Sequence, residues 1–414
     1  MFSDKKKTIS IQMAHSALEG SVYGMLIMAE VIMRRELNAS ILLITLFTML
    51  GPVTNLLSIY FSHVLTKYPG KIRTIITIAA LFTRLPMVLF FFFNSANALF
   101  VLSVLYYTGD TFIKPVQNIY MKMNYAKTEL GKIFAYSISL NKIFFIVAVY
   151  SFGLWMDSDS SIYITVFSIC GIVSFSSFFL LGFVPVTEWM KEKVSERKID
   201  LLIFPTLISV FKKNRQFLIY EVAFFIYGGG FMVVLAAVPI LLVDYLNLSY
   251  SIISFGRGVI SAIVIILLIP ALGKLFDRKN PIYVGVLAFS ILIFHPLAMA
   301  ASYFVPPEFS KWLVYLSYIF FGAGMAAVTL CWHIGPMYFA KNNMEVPKLT
   351  STHVTMTGIR GLIWPVAGYF LMKVHIILPF IVSAGFFLTA TIIMKSILPK
   401  DNVENKKLND RINE

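Results

Sequence analysis

Charged residues in this 414-residue chain come in short clusters, and the stretches between them are apolar. Each stretch is about 20 residues long, enough for a helix to cross the hydrocarbon core of a bilayer. No other feature limits the fold so strongly. Gly273-Lys274-Leu275-Phe276-Asp277-Arg278-Lys279-Asn280-Pro281 shows the pattern best: an apolar run from Ser251 enters it and another leaves it toward Tyr303. It reads as a tight charged turn at one membrane face. Apolar windows fall near residues 11–33, 39–62, 73–95, 98–121, 131–156, 161–185, 216–243, 249–275, 282–304, 312–339, 350–373 and 376–397. Backbone polar groups in hydrocarbon must be paired within their own segment, so each window is expected to be a helix. The expected class is an all-α membrane protein with twelve transmembrane helices.

Composition agrees. The chain is 58% hydrophobic and 14% charged, against about 25% charged in a soluble domain. Its net charge of +14 is spread over short loops and forms no stripe, so nucleic acid is not an expected partner. Of 35 Lys and Arg, only Arg34, Arg35, Lys311 and Lys373 fall in one set of alternate loops, while most others fall in the opposite set and the tails. The positive-inside rule then puts both termini in the cytoplasm of a multi-pass cell (inner) membrane protein. Lys5-Lys6-Lys7 precedes a run containing His15, Glu19 and Glu30 with no small-residue cleavage site, which reads as a first span and not as a cleaved signal. Cys170 and Cys331 sit inside apolar spans as packing residues, with neither a disulfide framework nor a zinc site indicated. No metal cluster, nucleotide loop or nucleophile-base spacing appears, so no cofactor and no enzyme activity are expected, and ATP is not the direct driver.

The spans divide six and six about the one long interior loop. The expected units are 1–186, a linking loop at 187–215, 216–398 and a cytoplasmic tail at 399–414. The loop begins with the charged stretch Lys191 to Lys198. It continues with an apolar segment, Leu201 to Phe211, suited to lie along the interface and brace the two units. The halves also echo one another: Ser62, Thr66 and Lys67 fall in the register of Gly273, Asp277 and Arg278, and Tyr120 and Lys142 in that of Tyr338 and Arg360. Such correspondence supports a duplication related by an axis along the membrane normal.

The turn at 273–281, its degenerate partner at 62–71, and Gly358-Ile359-Arg360-Gly361-Leu362-Ile363-Trp364-Pro365 in the eleventh span together resemble the major facilitator superfamily. The resemblance covers essentially the whole chain. It implies two pseudo-symmetric six-helix bundles that rock about a midplane site, a small-molecule substrate, and a chain that acts as a monomer in the lipid bilayer. It also makes Gly273, Asp277, Arg278 and Lys67 gating residues, with Gly273 permitting close helix approach and Asp277 accepting from a neighbouring helix N-terminus. The chain departs from the family pattern at Thr66, where an Asp is usual. Its fourth span lacks an Arg-then-Gly pattern, and its fifth, Asn141 to Asp157, lacks the Gly-Pro of many drug/proton antiporters.

Ionisable residues inside spans cost several kcal/mol unless paired or wetted, so they are the first candidates for function. Glu19, about eight residues or roughly 12 Å into span 1, and Asp110 in span 4 are the candidates for proton coupling. Asp110 and Lys114 share a helix face at i,i+4, as a structural pair or as a proton-sensitive switch. Lys142 and Arg360 sit at equivalent depths of spans 5 and 11, as an anion clamp or as counter-ions of interior acids. With Lys114 they are the charged substrate candidates, and Tyr227, Trp332, His333 and Trp364 are candidate pocket walls. Arg84 is expected to pair with a neighbouring helix, Arg257 and Glu221 to snorkel from span ends, and His295 to pack at a kink beside Pro296. The triple glycine Gly228-Gly229-Gly230 favours bending or close helix contact over phosphate binding.

The expected function is secondary active transport of a small organic solute, with an anionic group favoured, by alternating access and with protons as the coupling ion. The rival within transport is export of amphipathic or drug-like compounds, favoured by the 15% aromatic content and 19 Met. The rival of another class is a receptor or scaffold that keeps the fold without cycling.

Overall fold

Side chains able to cap a helix stand where several apolar runs begin. Ser40 accepts from the Leu43 amide, Asn214 from Phe217, Ser249 from Ile252 and Asn280 from Tyr283. Each satisfies one of the donors that a helix leaves free in its first turn. The computed structural model describes residues 2–57, 60, 61, 64, 65, 68, 71–125, 127–185, 203–340 and 345–398, and all regular elements among them are helical.

The first half comprises α1 (Phe2–Leu26), α2 (Ala29–Arg35), α3 (Ile41–Thr54), α4 (Ile72–Thr83), α5 (Ala96–Asn124), α6 (Lys127–Ser158) and α7 (Ile162–Leu181). After α4 the chain tightens into a 3-10 segment, Leu85–Phe91, where Pro86 lacks an N–H. The amphipathic α8 (Ile203–Lys213) buries Leu207 and Val210 and touches the second-half helices Arg215–Val233 and Val346–Val374.

The second half comprises α9 (Arg215–Val233), α10 (Ala237–Ile240), α11 (Tyr250–Ser254), α12 (Ser261–Arg278), α13 (Pro281–Leu292), α14 (Phe294–Ala301), α15 (Pro307–Tyr338), α16 (Val346–Val374) and α17 (Leu378–Ser396). Two π-helical turns, Leu241–Tyr245 and Phe255–Ile260, interrupt this series. By length and apolarity, nine continuous helical stretches among the described residues can cross a membrane, and the shorter Ile41–Leu57 is apolar too. The remaining two crossings are α5 and α16, each 29 residues long. They are less apolar because α5 carries Asp110, Lys114 and Gln117, and α16 carries His353 and Arg360. The result is a multi-pass membrane protein of twelve crossings in two bundles.

The end at which α1 begins is called here the Phe2 face, and the opposite end the Glu36 face. Toward the Glu36 face a single apolar cluster contains residues of both halves, among them Val22, Phe47, Phe152, Leu241, Ile253 and Phe380. Toward the Phe2 face the core divides into one cluster around Ile76, Phe112 and Phe178 and another around Tyr220, Phe289 and Met394. The halves are therefore packed together at the Glu36 face and separated at the Phe2 face.

Helices in lipid gain little from apolar burial against one another, so their association depends on close packing and on small residues that permit it. Among the described residues four such contacts join the halves, two of them Val149 at Gly258 and Leu56 at Gly358. Ser254 and the Tyr250 carbonyl fill the space that a Cβ at Gly153 would need, locking α6 to α11, while Pro52 of α3 does the same at Gly361 of α16.

The turn at 273–281 is tighter than the sequence suggested. Helix α12 continues through Arg278, and only Lys279 and Asn280 separate it from Pro281 of α13. Among the described residues a Cβ at Gly273 would meet nothing within 4 Å, so none of them is the close helix neighbour that this glycine was expected to admit. Arg278 is exposed. Lys67 and the Asp277 side chain lie outside the described residues, as does the linking loop between 186 and 202.

Candidate functional site

Between the halves lie two adjoining cavities, of about 820 Å³ on the Phe2 side and about 550 Å³ nearer the Glu36 face. Tyr23, Asn141, Lys142 and Ile265 line both and form the boundary between them. Each falls within the roughly 300–1,000 Å³ of small-molecule sites.

The wall supplied by the first half is built around Glu19, Arg84 and Asp110, drawn from three different helical segments. Glu19 is buried in α1; Ser174 Oγ donates to its Oε1 at 2.8 Å, and Tyr106 Oη to its Oε2 at 3.4 Å. Tyr23 Oη donates to Asp110 Oδ1, and Arg84 Nη2 stands 3.6 Å from the same oxygen. The Arg84 guanidinium, fully buried, lies 3.8 Å from the Tyr106 ring centroid and 4.1 Å from that of Phe178. Its charge is balanced by cation–π contact and by acids within electrostatic reach, with no hydrogen bond to any of its three nitrogens. As expected, Arg84 pairs with a neighbouring helix. One turn of α1 nearer the Phe2 face, His15 contacts Gln117 at 2.8 Å through Nε2 and Ser177 Oγ at 2.6 Å through Nδ1. This polar run, from Gln117 through His15 to Glu19 and Asp110, lies along the larger cavity.

Lys142 reaches both cavities from α6. Gly20 and Gly24 set its position, since a Cβ on either would strike the α6 backbone at Asn141 or Phe145, so α1 and α6 lie in direct contact. Asn141 Nδ2 donates to the Ser16 carbonyl at 3.0 Å and fixes the register. Beyond its own neighbour's ring, Phe145 at 5.1 Å, no contact to the Lys142 ammonium is found among the described residues. It is a cation offered to the cavity.

The smaller cavity ends toward the Glu36 face at Glu30 and Arg257, whose Oε2 and Nη2 meet at 2.5 Å across the two halves. The π-helical turn Phe255–Ile260 carries Arg257, and such turns often mark functional positions. Its expected role, snorkelling from a span end, is corrected. Beyond this bridge the Glu36 face is sealed. Arg34 pairs with Asp244 at 2.6 Å, Arg35 donates to the Leu248 carbonyl at 2.7 Å, Tyr250 donates to Glu36, and Asp157 accepts from the Tyr250 and Ser251 amides.

Arg360 does not face Lys142 across a shared cavity. It is buried inside the second half, where Nη1 donates to the Phe224 carbonyl at 2.7 Å and its stem fills the space left by Gly228. The clamp expected from these two residues is therefore not assembled, because α16 turns this side chain toward α9. Gly229 likewise makes room for Trp364, which packs on Phe225 and Phe386.

Tyr227 stacks on Phe289 with ring centroids 4.8 Å apart and belongs to the second-half core. Trp332 contacts His353 edge-on, and His333 is exposed beside it. None of these aromatic candidates lines either cavity among the described residues. Glu221, expected to snorkel, is instead buried and lies 2.7 Å from His353 Nδ1. His295 is packed as expected, against Ser317. The Lys114 side chain lies outside the described residues, so the expected pairing of Asp110 with Lys114 does too.

Sequence reasoning missed Tyr23 and Tyr106 as partners of the acids, and the role of Glu30. The available signal was an Arg flanked by two glycines, Gly256-Arg257-Gly258, in one apolar run and an unmatched acid near the end of another.

The sequence profile of the Major Facilitator Superfamily matches residues 16–344. No curated protein matches the chain significantly. Among solved structures, the fold is similar to the nucleoside transporter NupG (TM-score 0.70, 13% identity, covering 96% of this chain and 100% of that one). It is also similar to a bacterial homologue of the human lysosomal transporter Spinster in an inward-facing, unoccupied conformation (TM-score 0.65, 12% identity, 96% and 99%). A third similar structure is a D-xylose–proton symporter (TM-score 0.65, 14% identity, 96% and 98%).

Proposed function

Since the chain belongs to the Major Facilitator Superfamily, a family of transporters and not of enzymes, we propose that it moves a small organic anion across the membrane by alternating access, coupled to protons. The observation that carries this reading is the Lys142 ammonium, without an acid partner among the described residues, where two adjoining cavities meet between the Phe2 side and the Glu30–Arg257 bridge. A desolvated cation without an acid is costly. Binding an anion there relieves that cost. The mostly apolar remainder of the lining, including Leu26, Phe145, Phe231 and Phe321, suits an organic body and also supports the second reading, an exporter of amphipathic compounds.

The moving units are the two six-helix bundles, 1–186 and 216–398, joined through 187–215 and followed by a tail at 399–414. One chain encloses the whole cavity, so a monomer suffices. The positive-inside distribution puts both termini in the cytoplasm of the cell membrane. The arrangement is then inward-open, with the outer end closed by the Glu36-face contacts. Glu19 and Asp110, hydrogen-bonded to Ser174 and Tyr23 and facing the cavity, are the groups that take up and release the proton. The nucleoside and D-xylose–proton transporters of the same fold support solute transport in general terms.

Flux into proteoliposomes of the purified full-length chain tests this, using radiolabelled organic acids and neutral analogues with and without a pH gradient. Uptake of acids that the gradient increases is the expected result. Movement of no solute in either condition, with the protein shown to be folded, sinks the transporter reading for this chain.

A further inference from the structure

Arg257 in the second half has the opposite situation to Lys142 in the first. It has an acid, yet only one of its terminal nitrogens is used: Nη2 holds Glu30, while Nη1 is buried with no hydrogen-bond partner. The Tyr318 hydroxyl, also buried, has none either. Both residues line the 550 Å³ cavity, to which the first half contributes Lys142. Unsatisfied buried donors of this kind are uncommon and unfavourable, and a guanidinium is shaped to hold a carboxylate or phosphate through two nitrogens at once.

We propose, on the basis of the anion-site reading above, that Arg257 and Tyr318 form a second anion subsite in the cavity that Lys142 also lines. The transported solute then carries two separated anionic groups, and its second group competes with Glu30 for Arg257. The partners of the two cations support the pairing. Glu30 holds Arg257, while among the described residues no acid contacts the Lys142 ammonium. A second anionic group seated at Arg257 therefore lies beside Glu30, and Glu30 is the acid it displaces.

Glu30 belongs to the first half and Arg257 to the second. Their bridge is the contact between the halves that borders the cavity directly. Loading a dianion transfers Arg257 from a cross-half partner to the solute, so the loaded chain parts its Glu36 face at lower cost than the empty one. Substrate occupancy and opening of that face are thereby coupled through one guanidinium.

Ligand-induced thermal shifts of the full-length purified protein test the assignment with two probe series: succinate, glutarate and adipate against butyrate, valerate and caproate. The best dicarboxylate is expected to bind at least about tenfold more tightly than any of the monocarboxylates. Arg257→Gln should abolish this preference, and Glu30→Gln should raise dicarboxylate affinity by removing the competitor. If Arg257→Gln does not fold, Arg257→Lys, which keeps the charge and loses the fork, should still reduce the preference. Equal affinities for the two series, a preference that survives the Arg257 substitutions, or no gain in Glu30→Gln overturns the second subsite. Failure of both series to bind, or monocarboxylate binding that is unaffected in Lys142→Gln, overturns the anion-site reading itself and this inference with it.

Discussion

Arg84 Nη2 and Asp110 Oδ1 stand 3.6 Å apart on neighbouring helical segments, with the guanidinium enclosed between the rings of Tyr106 and Phe178. The pair ties the 3-10 segment after α4 to α5 and sets the electrostatic background for Glu19. Removing one member of a buried pair costs about 3–5 kcal/mol, because the other charge stays behind without compensation. Arg84→Met should therefore lower the melting temperature of the purified protein markedly. Arg84→Met combined with Asp110→Asn should recover much of that loss. Thermal denaturation of the single and double variants at one pH checks the cycle; strictly additive losses would show that the two charges do not stabilise one another.

Lys142 and Arg360, matched in sequence, should behave oppositely on substitution. Lys142 has no acid to abandon, so Lys142→Gln should leave stability unchanged or improved while weakening anionic solutes by about 10- to 100-fold, the equivalent of one charge-assisted hydrogen bond. Arg360→Gln removes a donor from the Phe224 carbonyl and empties the space beside Gly228. It should lower the melting temperature and affect anionic and neutral solutes alike. Competition assays and melting curves on the same two preparations separate these outcomes.

The positions of the crossings could be read from the sequence, because a run of about 20 apolar residues has one physical solution in lipid. The rotation of each helix could not. Where a helix is apolar on every side, periodicity no longer marks an inward face, and nothing in the residues around Arg360 told whether it turns toward Lys142 or toward Phe224. The partner of Arg257 was hidden for two further reasons. A π-helical turn shifts the face on which Arg257 emerges, and Glu30 lies 227 residues away along the chain. Glu19 and Lys142 were found because an ionisable residue at that depth stands out whichever way it points.

Glu19→Gln tests proton coupling with little structural disturbance, since the amide oxygen can still accept from Ser174 Oγ, now 2.8 Å from the carboxylate. A glutamine cannot bind and release a proton. Gradient-driven accumulation should collapse to simple equilibration across the vesicle membrane, while exchange of labelled for unlabelled solute continues. Proteoliposome uptake measured with and without an imposed pH gradient decides it; full accumulation by the variant removes Glu19 from the coupling role and leaves Asp110.

Pro52 meets Gly361 near the middle of α16, and Ser254 meets Gly153, without intervening side chains, so both contacts hold the halves together in the arrangement with the Glu36 face closed. Gly361→Val places two methyl groups where the Pro52 ring now sits, and overpacking of this kind costs about 1–3 kcal/mol in a contact that cannot relax. That cost falls on the arrangement with the Glu36 face closed and not on one in which α3 and α16 have separated, so the equilibrium should move toward the open face by about 5- to 100-fold. The two native cysteines, Cys170 and Cys331, are buried, so a single reporter introduced as Ser251→Cys can be followed with a membrane-impermeant maleimide. Faster labelling in Gly361→Val than in the Ser251→Cys background is the expected result, with Gly385→Val, at a glycine whose Cβ would meet nothing within 4 Å, as the matched control. Equal labelling rates in all three would mean that the Pro52–Gly361 contact does not hold the face shut.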